Sequence, residues 1–185
     1  MNMGTFRLPP PLLPQRKSER ERMKSAPNIK SYALRLLSIR DRSEGELRIK
    51  LKDKGYDPTP IDETIGQLKA VGLIDDQKTA ESILRYCKEV RRLGENGFKY
   101  YLKKRGIPDE IIGQFTISAD EQMENAKILI GKKEKYLKKL PIKVRINRLS
   151  GQLQRKGYSY EIIQKAIREY EDLCEPAELE KAEKR

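Results

Sequence analysis

One short motif occurs three times in this chain at a constant spacing of 51 residues. The copies span residues 51–56, 102–107 and 153–158, and each has Leu first, Lys or Arg fourth and Gly fifth. Apolar residues keep the same spacing on both sides of the motif: Leu47, Phe98 and Leu149 before it, and Ile61, Ile112 and Ile163 after it. This agreement predicts three tandem copies of one structural unit, each packed on its neighbours.

The first copy has the sequence signals of three short helices. Ser43 and Glu46 have the spacing of a capping box, which opens a middle helix. Gly55 is expected to end that helix, because glycine readily adopts the left-handed conformation found just after helix ends. Thr59 as N-cap and Pro60 as the first helical residue predict a third helix.

The second and third copies have comparable signals. Asp75 or Asp76 is expected to cap the first helix of the second copy, Gly94 to end it, and Pro108 to begin the third helix. Ser118 is predicted to cap the first helix of the last copy. Since no segment has the pattern of a strand, we predict an all-α fold. It is an elongated array of three tandem three-helix repeats, each resembling a helix-turn-helix unit.

The repeats define the expected domains. We predict three-helix repeats over residues 28–74, 75–117 and 118–174. Residues 1–27 are basic and rich in proline and are expected to form a disordered arm. Residues 175–185 are polar and are expected to form a fraying helical tail.

The composition restricts the possible chemistry. The 185 residues include no His and only two Cys, Cys87 and Cys174, which we expect to be buried and exposed, respectively. Without His, the usual general base near neutral pH and the usual partner of Cys in a zinc site are both missing. We therefore predict no catalytic site, no metal and no cofactor, and we disfavour an enzyme with a carboxylate active site.

Hydrophobicity gives two further expectations. Only 37% of the residues are apolar, compared with roughly 45–50% in typical globular proteins, so the core should be thin. No run reaches the ~18 apolar residues of a transmembrane helix, and the N-terminus lacks the apolar stretch of a secretory signal. We therefore expect a cytoplasmic protein that does not bind membranes.

Positive charge is concentrated towards the C-terminal end. Residues 127–170 hold 13 basic and three acidic residues, whereas the two kinds are equally numerous over residues 31–90 and over residues 91–126. Such a run is often only a solvated surface. Its concentration in one copy of three favours a binding surface for phosphates or for an acidic protein groove.

The predicted contact residues form a larger basic surface on the third copy and a smaller one on the second. A helical wheel with Ile146, Leu149 and Leu153 facing the core places several cations along one exposed flank of the middle helix. The predicted contact residues are Arg145, Arg148, Arg155 and Lys156; Lys132, Lys135 and Lys139; and Arg91, Arg92, Lys103, Lys104 and Arg105.

Sequence-specific DNA recognition by the third helix of a copy is disfavoured. Those helices open with acidic residues: Asp62 and Glu63, Asp109 and Glu110, and Glu161. These carboxylates suit the positive end of a helix dipole but would repel DNA phosphates. Any DNA contact is expected from the middle helix of the third copy and should be insensitive to sequence.

Two segments resemble signatures of the RecX family, whose members modulate the recombinase RecA. Residues 40–55 resemble the pattern R-x-R-S-E-x-E-L-R-x-K-L-x-x-K-G, and residues 72–80 resemble G-[LY]-[IL]-[DN]-D-x-x-[FY]-A. Two departures are Thr79, where the family usually has an aromatic residue, and Phe98, where the family usually has Ile. The resemblance extends over about residues 29–173.

The resemblance implies a non-enzymatic regulator, expected to be monomeric, that lies in the groove of the RecA filament on single-stranded DNA. There it would block or destabilise the filament and so limit homologous recombination, DNA repair and the SOS response. Inhibition is favoured over stabilisation of the filament. One alternative stays open: a sequence-independent DNA-binding or architectural protein that acts without RecA.

Overall fold

Nine α-helices and one π-helical turn form the part of the chain that the structure describes. The computed structural model describes the backbone of residues 28–183 and the side chains of residues 28–174. The helices are α1 (Ile29–Ile39), α2 (Glu44–Asp53), α3 (Pro58–Ala70), α4 (Asp76–Tyr86), α5 (Glu95–Lys104), α6 (Asp109–Ile112), α7 (Ala119–Leu137), α8 (Ile142–Arg155) and α9 (Tyr160–Glu183). No strand occurs over residues 28–183, which confirms the predicted all-α fold.

The predicted capping residues account for several helix starts. The side-chain oxygens of Ser43, Asp75 and Ser118 each accept a hydrogen bond from the backbone N–H three residues later, at 3.0, 3.0 and 3.2 Å. Caps of this kind typically stabilise a helix by about 1 kcal/mol. The other candidate, Asp76, instead accepts a hydrogen bond from the backbone N–H of Glu44 at 2.8 Å.

Several helix boundaries differ from the prediction. Helix α3 begins at Pro58, because this proline suits the first turn as well as Pro60 does; Thr59 is therefore inside the helix. Helix α4 passes into the π-helical turn Cys87–Arg91 and does not end at Gly94, which is the N-cap of α5. Helix α6 has only four residues, so the third helix of the second copy is much shorter than expected.

The recurring motif closes the middle helix of each copy. Gly55, Gly106 and Gly157 have φ angles of 95°, 70° and 79°, in the left-handed region that favours glycine. The residue after each glycine donates its backbone N–H to the carbonyl of the motif leucine five residues earlier, at 3.3, 3.2 and 3.2 Å. This is the hydrogen bond of a Schellman closure, which explains why Leu and Gly keep a fixed spacing.

Buried apolar residues form three separate clusters, one for each group of three helices. We call α1–α3, α4–α6 and α7–α9 the first, second and third units. All nine apolar residues that recur at the 51-residue spacing are buried, and the three motif leucines are at most 1% exposed. Among the described helices, none is both long and apolar enough to cross a membrane.

Other sequence expectations have mixed outcomes. Cys87 is buried, as predicted, whereas Cys174 is half-buried and packs against the third cluster. The predicted arm over residues 1–27 lies outside the described residues. In the predicted tail, the backbone of α9 is helical as far as Glu183.

Candidate nucleic-acid interface

The units meet through the same backbone arrangement at both junctions. The glycine turn after the middle helix of one unit packs on the start of the middle helix of the preceding unit: Gly106 packs on Gly45, and Gly157 packs on Gly97. A Cβ atom added to Gly45 would lie 2.6 Å from the carbonyl oxygen of Gly106, closer than real Cβ atoms approach oxygen. Glycine therefore fixes how the units stack, and with it the direction in which each middle helix faces.

The junction between the first and second units is held by charged side chains. Glu46 pairs with Arg105 at 2.9 Å across the junction, and it also pairs with Arg42 at 3.0 Å and with Arg40. The hydroxyl of Ser43 donates a hydrogen bond to the carbonyl oxygen of Arg105. Burial alone would raise the pKa of Glu46, but the hydrogen bond from Arg40 and the charge of Arg105 outweigh it and lower this pKa.

At the junction between the second and third units, backbone groups of the two units bond each other directly. The backbone N–H of Gly94 donates to the carbonyl of Lys156 at 3.0 Å. The N–H groups of Asn96 and Gly97 both donate to the carbonyl of Gly157, at 3.1 and 3.4 Å. Bonds between backbone groups carry no net charge, so these three bonds should respond weakly to salt.

Side chains add to this second junction. Lys156 donates from Nζ to the carbonyl of Arg91, and Tyr158 donates from its hydroxyl to the carbonyl of Arg92 at 3.1 Å. Arg92 in turn donates to the side-chain oxygen of Asn125 in α7. Burial, and then the charge of Arg91, lower the pKa of Lys156.

Three predicted contact residues therefore belong to junctions. Arg105 is engaged with Glu46, and both Arg92 and Lys156 bind groups of the neighbouring unit. The expectation that Lys156 lies on a free basic flank is wrong. The physical reason is its place in the motif, since it directly precedes a glycine turn that docks on the preceding unit.

Arg145 is a further correction. It is only 6% exposed, and its guanidinium donates to the hydroxyl of Tyr170 at 3.3 Å. Because Arg145 lies four and eight residues before Leu149 and Leu153, it shares their buried helix face. The prediction that it lies on the exposed flank of α8 is therefore wrong.

On the second unit the predicted cations are dispersed. Arg91 is exposed, and its guanidinium lies 4.7 Å from the ring centroid of Tyr101, a cation–π distance. Lys103 is exposed and pairs with Asp109 at 3.3 Å, while Lys104 is exposed. These residues do not form one continuous site.

On the third unit, a groove gathers several exposed polar groups between α7 and α8. Its volume is about 590 Å³, and none of its eight lining residues is acidic. The polar side chains that line it are Lys133, Tyr136, Asn147, Arg148, Gln152 and Arg155. Two predicted cations, Arg148 and Arg155, are therefore brought together, and their exposure agrees with the prediction.

The other members of the groove were missed by the sequence reasoning. Lys133 and Tyr136 are three residues apart on one face of α7, a spacing that the sequence does show. The predicted residues Lys132, Lys135 and Lys139 are exposed but do not line the groove. Choosing among neighbouring lysines requires knowing which face of α7 meets α8, and charge counts do not contain that information.

Comparison with known proteins also divides the chain into three-helix units. Two parts of the chain match family models: the first three-helix domain of RecX over residues 30–68, and its third three-helix domain over residues 120–167. The regulatory protein RecX of Amycolatopsis mediterranei is 31% identical over 169 residues, which cover 88% of this chain and 93% of that protein. The chain belongs to the RecX family. It is thus a member of a family of regulatory proteins.

Other RecX proteins extend the comparison. The RecX of Bacillus velezensis is 38% identical over 80% of this chain, which spans 57% of that longer protein, and the chain spans 49% of the RecX of Geobacillus kaustophilus. The crystal structure of RecX from Lactobacillus salivarius is similar with a TM-score of 0.65 at 28% identity, over 81% of this chain and 97% of that one. These likenesses confirm the fold of tandem helical repeats.

Proposed function

We propose that this RecX-family protein binds the RecA nucleoprotein filament on single-stranded DNA and inhibits the recombinase and coprotease activities. It acts in the cytoplasm as a monomer, by binding and not by catalysis. The proposal rests on the stacking of three similar units, the last of which has exposed cations lining one groove. The chain also belongs to a family of regulatory proteins.

The arrangement suits a filament because a filament is itself a repeating target. Units joined in a fixed order can contact successive subunits, and each contact raises the effective concentration of the next. Three weak contacts in one chain can then give strong binding. The exposed cations of the third unit, Arg148 and Arg155, supply charge complementary to DNA phosphates or to acidic protein surface.

A second candidate function is sequence-independent DNA binding without RecA. The observation that favours it is the groove of the third unit, which has three cations and no carboxylate among its lining residues. Phosphates are natural partners of such a surface, and contacts with phosphates alone carry no sequence information.

Co-sedimentation separates the two functions. RecA filaments formed with a nonhydrolysable nucleotide are compared with bare single-stranded DNA of the same length, each titrated with the full chain at fixed salt. We expect tighter saturation of the RecA filament. Equal or tighter binding to bare DNA would instead support the DNA-binding alternative.

A matched pair of variants tests the role of the third unit in this assay. Arg148→Glu with Arg155→Glu changes two exposed cations of the groove, and Lys50→Glu with Lys52→Glu makes the same charge change on the exposed surface of the first unit. We expect only the first pair to weaken pelleting strongly. If both pairs weaken it equally, total charge and not the third unit determines binding.

A further inference from the structure

The groove of the third unit lies where stacking covers the other two units. In the first and second units, the start of the middle helix is covered by the glycine turn of the following unit, through Gly45 and Gly97. The corresponding part of α8 borders the groove, and Arg148 stands 51 residues after Gly97. The third unit thus presents the docking surface of the repeat with Arg148 at the place where the first two units have Glu46 and Gly97.

The side chains around this groove combine positive charge with an exposed aromatic ring. Lys133, Arg148 and Arg155 contribute three cations from two helices. Tyr136 also lines the groove and is 81% exposed, although it is a large aromatic residue. The buried Oε1 of Gln152, which also borders the groove, has no hydrogen-bond partner within the described part of the chain.

We propose that this groove binds single-stranded nucleic acid, with phosphates on the three cations and a base stacked on Tyr136. A positively charged groove with an aromatic side chain is the combination by which proteins bind single strands without reading their sequence. The amide side chain of Gln152 supplies a hydrogen-bonding group for the edge of that base. The inference rests on the proposed function and deepens it, because it assigns the third unit to the DNA strand of the filament and not to the recombinase.

A second copy of the chain fits this surface poorly. Its free glycine turn would be the one at Gly55, where a Cβ atom would meet none of the described residues within 4 Å apart from its chain neighbours. Lys54 directly precedes that turn and would bring a cation against those of the groove, while Asp53 and Asp57 each lie two residues from Gly55. Arg148 also occupies the place where the two observed junctions have Gly97 or Glu46.

Double-stranded DNA and acidic protein surfaces fit less well than a single strand. Both would pair with the three cations, but neither accounts for the tyrosine, because bases in a duplex are already stacked on each other. An unpaired strand leaves base faces free to stack on Tyr136. The ring therefore distinguishes the three ligands experimentally.

Fluorescence anisotropy with a labelled oligo-dT strand and with a duplex of equal length provides the test. The full chain is compared with Tyr136→Ala, Tyr136→Phe and the control Tyr160→Ala, which changes a tyrosine that is 75% exposed and does not line the groove. We expect Tyr136→Ala to weaken single-strand binding about tenfold, since stacking contributes about 1–3 kcal/mol per base. Tyr136→Phe and Tyr160→Ala should bind like the unchanged chain.

Salt dependence provides a second readout. Arg148→Gln should lower the slope of log affinity against log salt by about one, as expected for one lost phosphate contact. Tyr136→Ala should leave that slope unchanged while lowering the affinity. An unchanged affinity of Tyr136→Ala for oligo-dT, or an equal loss for strand and duplex, would overturn the inference.

The same proteins, pelleted with RecA filaments, separate this inference from the proposed function. If the unchanged chain pellets with filaments but does not bind oligo-dT, and Arg148→Gln weakens the pelleting, the groove binds acidic protein surface; the inference fails and the proposed function stands. If oligo-dT binding depends on Tyr136 but filaments bind no more tightly than bare DNA, the proposed function fails and the single-strand site stands.

Discussion

The two junctions between units share one backbone arrangement but are held by different groups. At the first junction, Glu46 forms ion pairs with three arginines, one of which belongs to the second unit. At the second junction, backbone N–H groups at the start of α5 donate to carbonyls of the turn after α8. The stacking geometry is therefore a property of the glycine turn, while the groups that stabilise it can change.

A single pair of aligned positions accounts for much of this difference. Glu46 and Gly97 are 51 residues apart and occupy the same place at the start of their middle helices. A carboxylate at this place reaches Arg105 of the next unit. A glycine leaves room for Gly157 to approach, so that backbone groups meet directly.

The largest effect is expected from Gly157→Ala, compared with Gly55→Ala at the same position of the first motif. Both substitutions force alanine into the left-handed region, at about 1–2 kcal/mol. Only at Gly157 would the Cβ atom also collide with the backbone of Gly97, which adds about 1–3 kcal/mol of overpacking. Urea unfolding followed by circular dichroism should show the larger loss for Gly157→Ala, and equal losses would mean that the second junction is not tightly packed.

A smaller effect is expected from Gly97→Ala, for which Gly131→Ala is the matched control. Both glycines lie inside helices, where alanine is favoured by about 1 kcal/mol. A Cβ atom at Gly131 meets nothing within 4 Å, so that variant should be more stable than the unchanged chain. At Gly97 the Cβ atom would collide with the carbonyl of Lys156, so Gly97→Ala should be less stable than the unchanged chain.

Hydrogen exchange localises the effect of Gly97→Ala. The backbone N–H of Asn96, which donates to the carbonyl of Gly157, should exchange faster in this variant and at an unchanged rate in Gly131→Ala. Unchanged protection of Asn96 in both variants would contradict the described packing of the second junction.

At the first junction, Glu46→Gln should cost about 1–2 kcal/mol, because it removes a charge that three arginines share at a partly exposed site. Added salt should reduce the difference in unfolding free energy between this variant and the unchanged chain. Gly97→Ala should show no such dependence on salt. A salt-independent effect of Glu46→Gln would mean that packing, not charge, holds the first junction.

The smallest expected effect is the response to acid. The pKa of Glu46 is below its ordinary value of 4.5 in the folded chain. Its contribution to stability is therefore complete above pH 4.5 and is lost as the pH falls through the lowered pKa. Protection of the Glu44 N–H, which donates to Asp76 across the first junction, should fall before that of Asn96, because burial raises the pKa of Asp76 and this acceptor is protonated as the pH falls.

The second junction provides the internal reference for this acid response. Within the described residues it has one acid-sensitive ion pair, Lys88 with Glu121, in which the hydrogen bond from Lys88 lowers the pKa of Glu121. This pair is partly exposed and should contribute little to stability. Simultaneous loss of protection at both junctions would show that their chemistry does not differ as described.

The fold was largely predictable because the recurring motif always forms the same local structure, the closure of a helix end. A Schellman closure needs its glycine and its apolar partner at fixed positions, so Leu51 and Gly55 mark a helix end wherever they recur. The short helix α6 and the π-helical turn Cys87–Arg91 were not predictable, because they depend on packing between helices and not on local signals.

The candidate site was less predictable than the fold. In each motif the fourth residue is basic, and charge alone assigned Arg105 and Lys156 to a binding surface. The structure uses them at junctions, while Lys54 of the first motif stays exposed because no unit docks on its turn among the described residues. Contacts between residues about 60 positions apart, such as Arg105 with Glu46, leave no local pattern in the sequence.

A titration of RecA-dependent strand exchange tests most directly whether the chain regulates the filament as one continuous array. The unchanged chain, Gly97→Ala and Gly131→Ala are compared at fixed salt, after circular dichroism has shown that all three are equally helical. Our expectation is that the unchanged chain and Gly131→Ala inhibit when they are fewer than the recombinase subunits, whereas Gly97→Ala requires more protein because its third unit is no longer held in register. Equal inhibition by all three proteins, or no inhibition by the unchanged chain, would contradict it.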